Sequence, residues 1–342
     1  MPAHAGLADL SDSLLVAAVL CYVVAMLGYA AELAFGTRRR ALPPIAGGST
    51  ETLPDRWADV AAGTPPRPDG RDRAGQIGRD RAAQIGRDRA GLVGRAAVVV
   101  TAVGWLLHVV AVVTRGLAVE RVPWGNMYEF SSVVCLAAVT GFLVLVARQP
   151  VRHLGAVVML PVVIYLGLGA TVLYAPASPL VPALNSYWLK IHVAAAAIAS
   201  GTFMVAFAAT LLYLVQDLRE RRVTADGAGD APGRGRLPSA AALDTIAYRV
   251  TAFAFPVWTF AVIAGAIWAE AAWGRYWGWD PKETWAFITW VLYAGYLHAR
   301  PLPRWQGRRA AVVSTVAFVA LMFCYFGVNL WISGLHSYAG VD

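Results

Sequence analysis

Long apolar blocks constrain this chain more than any other feature of its sequence. A helix needs roughly 20 apolar residues to cross the hydrocarbon layer of a membrane, and helices satisfy their backbone hydrogen bonds internally, as lipid requires. We therefore predict an all-α polytopic membrane protein with about eight transmembrane helices. The blocks are Leu14–Phe35, Ala96–Val119, Phe130–Val146, Leu154–Leu173, Trp188–Val215, Val250–Ala269, Thr284–Ala299 and Ala310–Ile332.

The composition agrees with a membrane protein and argues against a nucleic-acid-binding one. The chain is 58% hydrophobic and 15% charged, whereas soluble domains carry about 25% charged residues. Its formal net charge is +8, but the basic residues concentrate in the segments between apolar blocks. Such charge sets the orientation of membrane helices, so we predict contact with the lipid bilayer and none with nucleic acid.

Arginine-rich loops predict the orientation. They follow the first, third, fifth and seventh blocks, which is every second loop, and positive loops face the cytoplasm. We therefore expect a multi-pass protein of the cell membrane with both termini extracytoplasmic. The residues involved are Arg38, Arg39, Arg40, Arg148, Arg152, Arg219, Arg221, Arg222, Arg234, Arg236, Arg300, Arg304, Arg308 and Arg309.

Three regions follow from this pattern. Residues 1–35 read as a first transmembrane helix rather than a signal peptide, because Asp9 and Asp12 precede the block where a basic cluster would be needed. Residues 36–95 read as an Arg-rich cytoplasmic loop that is partly disordered. Its near-repeat GRDRAGQI, GRDRAAQI, GRDRAGLV over 70–93 is compatible with a surface helix or with disorder. Residues 96–342 form the remaining bundle.

The three cysteines do not predict a metal–thiolate site or a dithiol relay. Cys21, Cys135 and Cys324 lie far apart in apolar blocks, and the chain contains no Cys-x-x-Cys. It also lacks Cys-x-x-Cys-His, so it is not itself a c-type cytochrome.

Four of the six histidines lie at positions that suggest a function. The predicted topology places His192 and His336 at the outer face, His108 midway along the second block and His298 near the inner end of the seventh. An interfacial histidine can be a simple anchor. Ionisable groups within a membrane are costly, however, and neutral imidazole is a common ligand of haem iron.

The outer segment 268–285 carries five of the 13 tryptophans. A membrane-interface belt alone would place fewer at one helix end, whereas a flat aromatic surface would suit a porphyrin face. The same segment contains Asp280-Pro281-Lys282-Glu283, which fits a helix N-cap with proline at the first position and glutamate at the third. Capping could be the main role of Asp280 and Glu283, or they could act directly at a site.

Four ordered motifs resemble a known family. The segment WAEAAWGRYWGWDPKETWAFITWVLYAGYLHAR from Trp268 looks like the WWD domain of the CcsA/ResC cytochrome c biogenesis proteins, which are often called CcsB in actinobacteria. The sequences PWGNMYEFS from Pro123, WLKIHV from Trp188 and GLHSY from Gly334 resemble three further family segments. Together they span most of the chain from about Trp105 onward. The Arg-rich loop and the first block depart from the family pattern, and we assign them no function.

The resemblance implies a site for haem b. By that resemblance, His192 and His336 ligate haem iron at the outer face, and His298 binds haem within the membrane, with His108 or a residue of another chain as its partner. The predicted aromatic platform and its adjoining carboxylate consist of Trp273, Trp277, Trp279, Trp285 and Glu283. The residues predicted to take part in the chemistry are His192, His336 and Asp280.

The function implied is that of a System II cytochrome c synthase subunit. It would carry haem across the membrane, present it outside, and support thioether attachment to the CxxCH of an apocytochrome c, as a haem lyase acting with a ResB-type membrane partner. A thiol-reducing thioredoxin-like protein is a further expected partner. Three alternatives stay open: a haem exporter without ligation activity, a b-haem assembly subunit of a respiratory complex, and an unrelated Trp-rich membrane protein.

Overall fold

The computed structural model describes residues 5–35, 70–178, 186–225 and 237–336, and for residues 70–88 it describes the backbone alone. Several predicted features lie outside these residues: the arginines of 36–69, Arg234 and Arg236, and the end of the last motif at Ser337 and Tyr338. All regular structure in the described ranges is helical, which confirms the predicted all-α class.

Eight long helices follow the predicted apolar blocks, and a short ninth one lies near the end of the described chain. They are α1 (Ala5–Phe35), α2 (Gly70–Ala118), α3 (Met127–Arg148), α4 (Gly155–Thr171), α5 (Tyr187–Ala225), α6 (Ala240–Trp273), α7 (Pro281–Ala299), α8 (Arg308–Met322) and α9 (Val328–Trp331). The near-repeat of residues 70–93 is helical and continues directly into the apolar part of α2.

Seven helical segments of the described chain are long and apolar enough to cross a membrane. The block Thr284–Ala299 forms most of α7, which is 19 residues long but does not belong to these seven. Its tryptophans, tyrosines and charged first turn make it less apolar than the others. Large apolar side chains such as Leu20, Phe253 and Ile263 remain exposed on the outside of the bundle, where lipid would cover them. The chain is a polytopic membrane protein.

The bundle is built from helix pairs around a central α3 and α5. The pairs α1 with α2 and α5 with α6 pack along most of their length, while α3 contacts α4 and α5, and α7 contacts α8. A Cβ atom on Gly201 of α5 would lie 2.6 Å from both the Ala138 nitrogen and the Val134 oxygen of α3. Only glycine permits this approach, which is typical of packed membrane helices.

A buried charge network fixes the end of the bundle where α2 passes into α3. The carboxylate of Glu129 accepts hydrogen bonds from Arg115 Nε at 3.2 Å and Arg121 Nη1 at 2.7 Å, and its side chain is fully buried. Gly125 N donates to the same carboxylate at 2.9 Å. Tyr128 donates to Asp12 of α1 at 2.8 Å. The loop between α2 and α3 is therefore anchored to two helices, and it forms one wall of the cavity described next.

Candidate functional site

One large cavity opens at the end of the bundle where α6 passes into α7. Its volume is about 1260 Å³, including space continuous with solvent. Its walls come from the α2–α3 loop, the first turns of α5 and α7, the second half of α6, the end of α8 with α9, and the segment between α6 and α7. The lining side chains are mostly apolar or aromatic, as in sites for small organic ligands.

His192 projects into this cavity from the second turn of α5. Its Nδ1 lies 2.8 Å from the carbonyl oxygen of Ala261 on α6. A carbonyl only accepts hydrogen bonds, so Nδ1 carries a proton, and in the neutral ring Nε2 then carries the lone pair. The ring stacks on Trp268 with centroids 6.2 Å apart and planes 12° apart. Gly265 leaves room for it, because a Cβ there would lie 2.7 Å from Nδ1.

His336 reaches the same cavity from the segment after α9. Its Nδ1 lies 2.9 Å from Asp280 Oδ2, and Leu335 N donates to Asp280 Oδ1 at 2.8 Å. Burial lowers the pKa of His336 below its usual value, although the bond to Asp280 opposes this. Burial would raise the pKa of Asp280, but hydrogen bonds from His336 and Leu335 hold it below its usual value. The pair is therefore a neutral imidazole that donates to a carboxylate.

Trp268 packs against both histidines. Its ring centroid is 6.2 Å from that of His192 and 5.8 Å from that of His336. Trp273 packs against Trp268 at 4.8 Å and against His336 at 5.0 Å. Two neutral imidazoles, each oriented through Nδ1, thus border one aromatic cavity. Hydrogen bonding of the distal ring nitrogen is how proteins orient histidines that ligate metals, so the two side chains fit an iron-centred planar ligand.

Asp280 and Glu283 form a complete capping box at the start of α7, with Pro281 at the first helical position. Glu283 Oε2 accepts hydrogen bonds from Gly278 N at 2.8 Å and Asp280 N at 3.1 Å. The same Asp280 carboxylate accepts the hydrogen bond from His336. Asp280 therefore caps α7 and contacts a predicted site residue at the same time. Glu283 Oε1 is buried and has no hydrogen-bond partner within the described part of the chain.

The tryptophans predicted as a platform divide into two groups. Trp273 and Trp277 line the cavity. Trp279 and Trp285 do not: Trp279 is 65% exposed, and Trp285 packs on Phe323 with ring centroids 4.2 Å apart. Trp279 also has a φ of 56°, a left-handed conformation that costs a bulky residue energy. This backbone turn brings the chain from the Trp-rich loop to the cap of α7.

The two remaining histidines lie away from this cavity. His108 is fully buried between α1, α2 and α3, with Nδ1 3.2 Å from Tyr22 Oη and Nε2 2.9 Å from Ser132 Oγ. Both of its ring nitrogens are thus engaged inside the bundle. His298 lies in the last turn of α7 on the exposed surface of the described bundle. The structure does not bring His108 and His298 together.

The cavity residues that were not predicted as site residues include Trp124, Trp268, Lys282 and Asn329. Trp124 belongs to the segment PWGNMYEFS, so the family resemblance contained a signal for it. Lys282 lies between Asp280 and Glu283 in sequence, and the pattern at these positions was interpreted as a helix cap, which assigns no role to the lysine. No sequence pattern indicated Asn329, because its position depends on the π-helical segment Phe323–Gly327 that joins α8 to α9. Such segments are frequent at functional sites.

Comparison with known proteins gives a consistent result. The profile of a family described as "Cytochrome C assembly protein" matches residues 124–336. The chain is 38% identical over 262 residues to a cytochrome c biogenesis protein CcsA of Gloeothece citriformis, covering 63% of this chain and 79% of the relative. It is 34% identical over 244 residues to a CcsA of Guillardia theta, covering 67% of this chain and 80% of the relative.

A solved structure shares the fold. The structure titled "Cytochrome c Heme Lyase CcmF" superposes with a TM-score of 0.57 at 16% sequence identity. The match covers 97% of this chain and 50% of that one, so this chain spans half the length of CcmF. At this identity the likeness concerns the fold alone.

Proposed function

This chain belongs to the cytochrome c assembly protein family, and on that premise we propose that it holds haem at the outer face of the cell membrane for covalent attachment to apocytochrome c. The observation that carries the proposal is the pair His192 and His336. Each is oriented through Nδ1, and both border one aromatic cavity beside Trp268. Two neutral imidazoles are suited to bind haem iron from its two sides.

The contribution of the protein is binding and orientation, and the reactivity belongs to the haem and the thiols. The histidine of the CxxCH segment would displace one of the two outer ligands, which brings both cysteines near the vinyl groups. Each S–H then adds across a vinyl C=C bond. Sulfur bonds to the carbon next to the porphyrin ring and the proton ends on the terminal carbon, so no oxidant is consumed. A thioredoxin-like protein would keep the two cysteines of the apocytochrome reduced to thiols.

His298 would serve the earlier passage of haem through the membrane. It is exposed on α7, whereas both ring nitrogens of His108 are engaged by Tyr22 and Ser132. The haem site that we propose therefore does not include His108. A second ligand opposite His298 would come from another chain, which suits a two-protein synthase of the System II kind with a ResB-type partner.

A visible absorption spectrum of the purified full chain tests the outer site. Wild type should show a low-spin bis-histidine haem, and His192→Ala and His336→Ala should each lose it and regain it with added imidazole. His153→Ala, which alters a histidine outside the cavity, is the matched control. Wild type without haem, when purified with its membrane partner, would overturn the proposal.

A reconstituted reaction distinguishes covalent attachment of haem from haem export. The protein and its partner are supplied with haem and a CxxCH apocytochrome, and covalent haem is followed on the cytochrome after denaturation. Covalent product that depends on both outer histidines supports a synthase. Haem that reaches the outer face without covalent product, under reducing conditions, assigns the chain to export instead.

A further inference from the structure

One wall of the cavity carries a positive charge without a carboxylate partner. Lys282 is half-buried at the start of α7, and its Nζ donates to Asn329 Oδ1 of α9 at 2.6 Å. No carboxylate of the described residues lies within ion-pair distance of it, although Asp280 and Glu283 are its near neighbours in sequence. A cation on an apolar wall, held by one neutral acceptor, is incompletely compensated and attracts an anion.

A second donor on this wall lacks a partner. The indole Nε1 of Trp124 is buried and makes no hydrogen bond within the described part of the chain. Trp124 lines the same cavity from the α2–α3 loop. Buried polar groups in folded proteins are almost always satisfied, so this N–H points to an acceptor that the protein itself does not provide.

Two contacts connect the chain at Lys282 with the start of α3, three residues after Trp124. Cys324 Sγ donates to the Lys282 carbonyl at 3.6 Å, and the neighbouring Tyr325 donates to the Met127 carbonyl at 2.8 Å. The π-helical segment Phe323–Gly327 therefore contacts both the start of α7 and the start of α3.

The two carboxylates nearest to Lys282 in sequence make their hydrogen bonds to other groups, although Glu283 also lines the cavity and keeps Oε1 without a partner among the described residues. The Asp280 carboxylate is bound to His336 and Leu335, and Glu283 directs Oε2 to the backbone of Gly278 and Asp280. Neither carboxylate therefore forms a direct ion pair with Lys282 in the described residues.

We propose that Lys282 and Trp124 bind the propionate carboxylates of haem and so fix which edge of the macrocycle faces outward; this rests on the proposed function. The propionates lie on one edge of haem and the vinyl groups toward the other. With the propionates at Lys282, the vinyl groups lie toward the other side of the cavity. Tyr276 lines the cavity and is 61% exposed, which gives an apocytochrome a side from which to approach.

The test compares haem with its dimethyl ester, in which both carboxylates are masked, by titrating haem-depleted full-length protein in lipid nanodiscs. The variants are Lys282→Met, which removes the charge at similar length, and Trp124→Phe, which removes only the N–H. Lys190→Met is the matched control, because Lys190 is the other lysine of the chain and is exposed outside the cavity.

Wild type should bind haem roughly tenfold to a hundredfold more tightly than the ester, the range expected for hydrogen bonds to a charged group. Lys282→Met should remove most of this preference by weakening haem and leaving the ester unchanged. Trp124→Phe should reduce the preference in part, and Lys190→Met should retain it.

The outcomes separate this proposal from the function on which it rests. Equal preference for haem over the ester in wild type and in both variants overturns the propionate assignment and leaves the haem site intact. Wild type that binds neither ligand overturns both. Lys282→Met that still binds the ester as wild type does is correctly folded, so its loss of haem affinity cannot be attributed to misfolding.

Discussion

His336 and Asp280 are joined by a hydrogen bond of 2.9 Å between Nδ1 and Oδ2, and this bond ties the segment after α9 to the N-terminal cap of α7. The same carboxylate accepts from Leu335 N at 2.8 Å. A Cβ on Gly334 would lie 2.7 Å from its Oδ1. One side chain therefore starts a helix, holds the end of the described chain and orients a candidate iron ligand.

Asp280→Asn should weaken haem binding without unfolding α7. Asparagine caps helices about as well as aspartate, but it removes the negative charge that draws the proton to Nδ1 of His336. Loss of such a supporting partner typically lowers metal affinity about 10- to 100-fold. Haem dissociation and thermal unfolding should be measured together. An Asn variant with wild-type haem affinity would show that the carboxylate serves only as a cap.

Gly265→Ala should displace His192. The added methyl would lie 2.7 Å from Nδ1, so the ring must rotate away from the carbonyl of Ala261. We expect a reduced low-spin haem spectrum that added imidazole restores. Gly167→Ala in α4 is the control, because its Cβ meets nothing within 4 Å, and a helical Gly→Ala change is favourable by up to about 1 kcal/mol. Equal haem content in both variants would contradict the observed geometry.

Glu129→Gln should destabilise the end of the bundle that forms the cavity wall. It leaves Arg121 without its buried counter-charge and Arg115 with only Asp12, whose Oδ1 lies 3.5 Å from Nη1. Breaking a buried pair costs about 3–5 kcal/mol. Arg221→Gln is the control. Arg221 is 64% exposed in its pair with Asp217, and exposed pairs contribute about 1 kcal/mol or less. Unfolding in detergent should be compared, and equal stability of the two variants would rule out a structural role for the network.

Trp268→Phe should lower haem occupancy more than Trp279→Phe. Trp268 is 2% exposed and borders both histidines, whereas Trp279 is 65% exposed and lies outside the cavity. The ratio of haem absorbance to protein after purification measures the difference. A larger effect at Trp279 would place the haem on the outer surface of the loop instead of in the cavity.

The sequence predicted those cavity residues whose chemistry and whose local motif both indicated a site. His192, His336, Trp273 and Trp277 were named from the sequence, and all four line the cavity. Their assignment as haem contacts remains a prediction. Trp279 and Trp285 carry the same residue type in the same segment, yet they face away. No local pattern distinguishes them, because the turn at Trp279 changes the direction of the chain between Trp277 and Asp280.

The amino-acid sequence was enough to predict a bundle of membrane helices, because the length and apolarity of each block are local properties and a long apolar segment in lipid must form a helix. It also specified the cap of α7, since capping depends on neighbouring residues only. The tertiary structure decided which side chains meet. His192 and His336 are separated by 144 positions in the chain, and Trp124 and Lys282 by 158. Their common cavity arises from the packing of α3, α5, α6 and α9, which depends on close contacts such as Gly201 against α3 and Gly265 against His192.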